Sequence, residues 1–198
     1  MNELEAKEEI RIIREMLEKT RRSAADSGTF FLVWGFLLIL AVVGNYALAL
    51  AERYSWIWFN WILFPVIGVV FSCVYWGRRE RKSGMKTYAS TAAGYLGIGC
   101  GVAFFFLGIV FPAFRVYSWG VIGLLISAVW GTYLFTVGGI FDWGLLKWCG
   151  AISWAVALGM VFIDEKYRGL AFIPLILIGC IIPGFIMRSQ YRRERLAQ

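Results

Sequence analysis

Histidine is absent from the 198 residues, and with it goes the commonest general base and metal ligand. The four cysteines, Cys73, Cys100, Cys149 and Cys180, form no CxxC pair, so a zinc, haem or copper site lacks its donors. Each falls in a different apolar run and none in an outer loop, which implies small apolar filler rather than a disulfide. Glycine-rich stretches are not followed by the GK[ST] of a phosphate loop. Charge is scarce as well, at 17% of residues against ~25% in soluble domains. No Asp, Glu, Lys, Arg or His occupies the middle of an apolar run, although proton relays and ion-coupled carriers are usually built on such groups. An acid–base pair or an activated nucleophile is equally hard to assemble. The expectation is a protein that is not an enzyme and holds no cofactor.

What fills the chain instead is apolar sequence: 60% of residues, with a mean hydropathy of +0.67. The charges stand in blocks. Uncharged runs of 25, 24, 28, 26 and 19 residues separate Asp26 from Glu52, Arg53 from Arg78, Lys86 from Arg115, Arg115 from Asp142, and Arg168 from Arg188. A span needs ~20 apolar residues to cross ~30 Å of hydrocarbon. A sixth run of 21 residues lies between Asp142 and Asp164, interrupted by Lys147 near one end, where a lysine stem can carry its ammonium to the headgroups. The sequence therefore predicts an all-α polytopic membrane protein with six transmembrane helices near residues 28–50, 56–77, 88–110, 115–137, 143–163 and 169–187. Soluble enzymes, nucleic-acid-binding domains and disordered tails are excluded.

Sixteen of the 20 Lys and Arg residues fall on one side of this topology, leaving Arg53, Arg115, Lys166 and Arg168 on the other. By the positive-inside rule both termini face the cytoplasm. The same bias accounts for the pI of about 9.4, so no nucleic-acid partner is inferred. The first apolar run is expected to stay in place as a signal anchor. With no Gly at position 2 and no C-terminal prenylation box, lipidation is not expected.

Three regions follow: a cytoplasmic amphipathic helix and hinge (1–27), the six-helix bundle (28–187) and a basic cytoplasmic tail (188–198). In the first, Ala6, Ile10, Ile13, Leu17 and Thr20 recur at alternating intervals of four and three, the seam of a packing helix. Glu3, Glu5, Glu8 and Glu9 begin it and Lys19, Arg21 and Arg22 close it, which suits the helix dipole. The apolar face of Ile10, Ile13 and Leu17 needs a cover. An acidic first half is repelled by anionic lipid, which favours a cytoplasmic protein partner or a second copy.

Within the bundle, Ala89, Ala93, Gly97 and Gly101 recur every four residues, the spacing that lets helix backbones approach. Gly123, Ser127 and Gly131 form a similar stripe on the fourth helix, and Ala151, Ala155 and Gly159 on the fifth. Such stripes serve packing inside the bundle or a homo-oligomer. Asn45 and Asn60 lie at similar depths in the first hairpin; they are expected to bond across it, or else to line a solute site. Pro65, Pro174 and Pro183 are expected to kink their helices.

The outer connections, Glu52-Arg53-Tyr54-Ser55-Trp56, Arg115-Val116-Tyr117-Ser118-Trp119 and Lys166-Tyr167-Arg168-Gly169, look alike. The likeness comes either from interfacial Tyr, Trp and Arg or from a repeated hairpin of the kind transporters use. Asp142 reads as a helix N-cap. Asp164, Glu165, Lys166 and Arg168 read as a solvated loop.

From Trp34-Gly35-Phe36 through Trp61–Gly68 (WILFPVIG) to Ile181-Ile182-Pro183-Gly184-Phe185-Ile186-Met187-Arg188, the chain resembles small six-span bacterial inner-membrane proteins without a known activity. The resemblance implies a bacterial cytoplasmic membrane and no substrate. Two functions are compatible with the sequence: association through the N-terminal helix or with further copies, and a carrier or pore for a small solute.

Overall fold

The computed structural model describes residues 11, 28–83 and 88–196. The described residues are helical throughout, joined by short turns, with no strand among them. Six helices are long and apolar enough to cross a membrane: α1 Gly28–Leu50, α2 with its apolar part at Tyr54–Tyr75, α3 Tyr88–Ala113, α4 Trp119–Ile140, α5 Gly144–Phe162 and α6 Gly169–Ser189. The chain is a multi-pass membrane protein. Of the amphipathic helix expected at 1–27 only Arg11 is described, as a helical residue, while Ile10, Ile13 and Leu17 lie outside the described residues.

Helix ends depart from expectation for one recurring reason. Glu52, Arg115 and Asp142 all take positive φ, at 57°, 59° and 48°. Each closes the helix before it in the same way. The following N–H reaches back five residues (Arg53 to Leu48, Val116 to Phe111, Trp143 to Gly138), while the residue's own N–H reaches back three. This is the double closure that usually employs glycine. Arg115 thus ends α3, and α4 starts at Trp119 rather than at 115. Asp142 likewise ends α4 instead of capping α5, whose N-cap is Trp143 with no side-chain bond. Its carboxylate pairs instead with Lys147 at 3.0 Å. The first two outer connections share this turn in register, but the third does not: Asp164 is extended (ψ 141°) ahead of a one-turn helix at Glu165–Arg168.

Prolines reshape α3 and α6. A π turn at Phe106–Val110 ends one residue before Phe111-Pro112 closes the helix, and another at Leu177–Ile181 stands in the same relation to Ile182-Pro183. A proline ring collides with the carbonyl four residues back; widening the preceding turn by one residue moves that carbonyl aside. Pro65, by contrast, is carried inside the continuous helix Tyr54–Ser83.

The helices pack α2 on α1, α1 on α6, α6 on both α5 and α4, α5 on α4 and α4 on α3, with α2 and α3 at the edges. The edge helices show it: 11% of the α2 span and 6% of the α3 span are buried, against 39% of α6. The main core, Phe31, Leu134, Val137, Leu146, Cys149 and Met187, lies toward the side of the membrane where α1 begins, hereafter the near side.

Candidate functional site

Two backbones come close together where α4 crosses α5. A Cβ on Gly150 would lie 2.7 Å from the Gly131 carbonyl oxygen and 2.7 Å from the Phe135 nitrogen. A Cβ on Gly131 would lie 2.9 Å from the Gly150 oxygen. Trp154 then reaches over, its Nε1 donating to the Ala128 carbonyl at 3.1 Å. The other members of the α4 stripe meet different neighbours. A Cβ on Gly123 would lie 2.7 Å from the Phe172 ring of α6. Buried Ser127 returns its hydroxyl to the Gly123 carbonyl at 2.7 Å and touches Met160 Sδ at 3.8 Å.

The expected α5 stripe is off by one face. Ala155 and Gly159 are exposed, and the packed positions are Leu146, Gly150, Ser153, Ala157 and Met160. Their four- and three-residue spacing is a helical seam in its own right.

The α3 stripe is the most open of the three within this chain. A Cβ on Gly101 would meet nothing within 4 Å, and one on Gly97 would meet the Tyr133 ring at an ordinary 3.8 Å. Ala89 and Ala93 are half-buried. Among the described residues, no helix backbone closes on Gly97 and Gly101, because α4 turns Gly131 toward α5 and presents Tyr133 to α3. A second close approach that the expected stripes did not include joins α1 to α6. There, a Cβ on Gly28 would fall 2.7 Å from the Gly184 oxygen, and one on Gly35 would fall 2.9 Å from Cys180 Cβ.

Asn45 and Asn60 both bridge the first hairpin, but not to each other. Asn60 is buried and donates to the Ala41 carbonyl at 2.9 Å. Asn45 accepts from Trp61 Nε1 at 3.2 Å. Nearer the near side, Trp34 Nε1 donates to Ser72 Oγ at 3.0 Å. Three polar contacts therefore lace α1 to α2 between Trp34 and Asn45, a rise of roughly 17 Å. Interhelical bonds of this kind contribute about 0.6 kcal/mol each on average.

Two polar side chains at the far side do more than the sequence suggested. The π turn in α3 gives the Phe111 N–H to Phe106, and Pro112 has none to offer, so the Leu107 carbonyl has no main-chain donor. The Tyr117 hydroxyl donates to it from the outer connection. Burial pushes the Tyr117 phenol above its ordinary range. Arg168, read from sequence as solvated, is half-buried instead. Its Nε donates to the Met160 and Ile163 carbonyls at 3.1 and 2.9 Å, the open end of α5. One terminal nitrogen reaches the Gly120 carbonyl of α4 at 3.4 Å.

Among the described residues, no three His, Cys, Asp or Glu side chains converge as a metal site would require. Cys149 and Cys180 are buried, Cys100 is half-buried, Cys73 is exposed, and all four are thiols. Comparison with known protein families, with curated proteins and with solved structures finds no match.

Proposed function

We propose that this chain is a non-enzymatic protein of a bacterial cytoplasmic membrane, with both termini cytoplasmic, that acts by association. Its partner is a second copy or a cytoplasmic protein docked through Ile10, Ile13 and Leu17. One observation carries the reading. Among the described residues, no buried side-chain nitrogen or oxygen lacks a hydrogen-bond partner, while the edge helices α2 and α3 keep most of their surface uncovered. Asn60, Ser72, Ser127 and Ser153 bond to backbone carbonyls inside the bundle, which leaves them little to offer a solute. The resemblance to six-span bacterial proteins and the sixteen-to-four split of basic residues support the membrane and the orientation.

The test is Ile10→Asp combined with Ile13→Asp. Insertion and the bundle should persist while the assembly falls to a single chain or loses its co-purifying protein. A double variant with unchanged assembly size and companions refutes docking through this face.

A second reading, a carrier or pore for a small solute, draws on the two π turns beside Pro112 and Pro183, since such turns are frequent at functional sites. Solute uptake into vesicles holding the purified protein, abolished by Pro183→Ala, would favour it.

A further inference from the structure

The near-side ends of α2 and α6 flank the start of α1. The rings of Phe30 and Tyr75 are 6.1 Å apart, so α2 meets α1 at that level. On the other flank, a Cβ on Gly28 would lie 2.8 Å from the Arg188 backbone nitrogen. Arg78 follows Tyr75 by three residues, about 4.5 Å toward the near side, and Gly28 precedes Phe30 by two, about 3 Å in the same direction. Arg78 and Arg188 therefore stand at similar depth on two helices that each pack on α1, and both are exposed.

Neither helix stops there. α2 runs unbroken for 30 residues to Ser83, and α6 continues helically to Leu196. These extensions carry four basic residues between 78 and 82 and four between 188 and 195, against Glu80 and Glu194. Loose loops would satisfy the positive-inside rule equally well. Here Arg78 and Arg188 instead lie on two membrane-spanning helices that are braced against the same neighbour, which holds both at headgroup depth.

We propose that the near-side ends of α2 and α6 form a binding surface for anionic phospholipid headgroups, centred on Arg78 and Arg188. Charge complementarity selects this occupant, because a headgroup phosphate is the anion present at that depth in a membrane. The surface does not depend on the association reading and would stand without it.

The experiment uses the full-length protein in detergent, doped with phosphatidylglycerol or phosphatidylcholine, with retained lipid counted by native mass spectrometry and thermal stability read in parallel. The parent should retain phosphatidylglycerol in preference and gain stability from it. That preference should fall roughly five-fold for each arginine removed in Arg78→Gln and Arg188→Gln. Arg78→Lys with Arg188→Lys should keep most of it. The far-side pair Arg53→Gln with Arg115→Gln removes the same charge and should leave the preference unchanged. Equal loss from the far-side pair, or no loss from the near-side pair, overturns the proposal. Inorganic phosphate at matched concentration should give no thermal shift; a shift equal to that of phosphatidylglycerol would overturn the headgroup assignment.

Discussion

Gly150→Ala and Gly101→Ala add the same methyl group at membrane depth and should act in opposite directions. At Gly150 the new Cβ would sit 2.7 Å from both the Gly131 oxygen and the Phe135 nitrogen, and 2.8 Å from Phe135 Cβ. An ordinary contact is 3.4 Å or more, so α4 and α5 must separate by several tenths of an ångström. Both obstacles at 2.7 Å are backbone atoms, which cannot swing aside as a side chain can. Overpacking of this kind costs about 1–3 kcal/mol, and it loosens the neighbouring Trp154–Ala128 bond. Alanine recovers up to ~1 kcal/mol of helix propensity, which leaves a net loss of up to about 2 kcal/mol. At Gly101 nothing lies within 4 Å, so only the propensity gain remains and stability should hold or rise by up to ~1 kcal/mol. Thermal unfolding in detergent measures both. If Gly101→Ala destabilised as much as Gly150→Ala, the α3 stripe would be packed on a helix backbone, of this chain or of a second copy, and the open space before it would be refuted.

Tyr117→Phe should cost about 1–3 kcal/mol by stranding the Leu107 carbonyl. Because the folded protein raises the Tyr117 pKa, the hydroxyl's contribution is present below the ordinary phenol value of about 10 and is lost as pH rises through the higher folded value. The stability gap between parent and Tyr117→Phe should therefore narrow in thermal melts taken above that pH. Arg168→Lys should fail to restore what Arg168→Gln loses, since the fork that reaches Met160, Ile163 and Gly120 is planar and an ammonium is not; unfolding temperatures of the two variants should lie together below the parent. Cysteine probes at Ser55, Ser118 and Gly169 should react with an impermeant reagent in intact cells, and probes at Ser83 and Ser189 should not. The reverse pattern would invert the topology.

The six spans were legible because a membrane helix declares itself by length and by the charges that bound it. Boundaries slipped where a charged residue adopted a glycine-like turn: nothing in the identity of Arg115 or Asp142 announces positive φ. Interior packing was far less legible, for a physical reason. In a soluble helix water marks the outer face, whereas in a bilayer lipid tails and neighbouring helices are both apolar. A glycine with open space before it, such as Gly101, then reads like a glycine facing a backbone, such as Gly150. The α5 seam is visible as Leu146, Gly150, Ser153 and Ala157 once intervals of four and three are followed instead of a strict interval of four. Asn45 and Asn60 stood out because polar groups are rare at that depth. Tyr117 carried a fainter signal, a tyrosine five residues after a proline that closes its helix. Arg168 carried none, because its targets are carbonyls.

The central claim is that the bundle works in company. Native mass spectrometry of the protein released directly from its own membrane in lipid nanodiscs tests this without choosing a partner beforehand. The account predicts a stoichiometric assembly heavier than one 22.5 kDa chain, made of further copies or of one defined companion. A population consisting only of single chains, with bound lipid and no other protein, would contradict it.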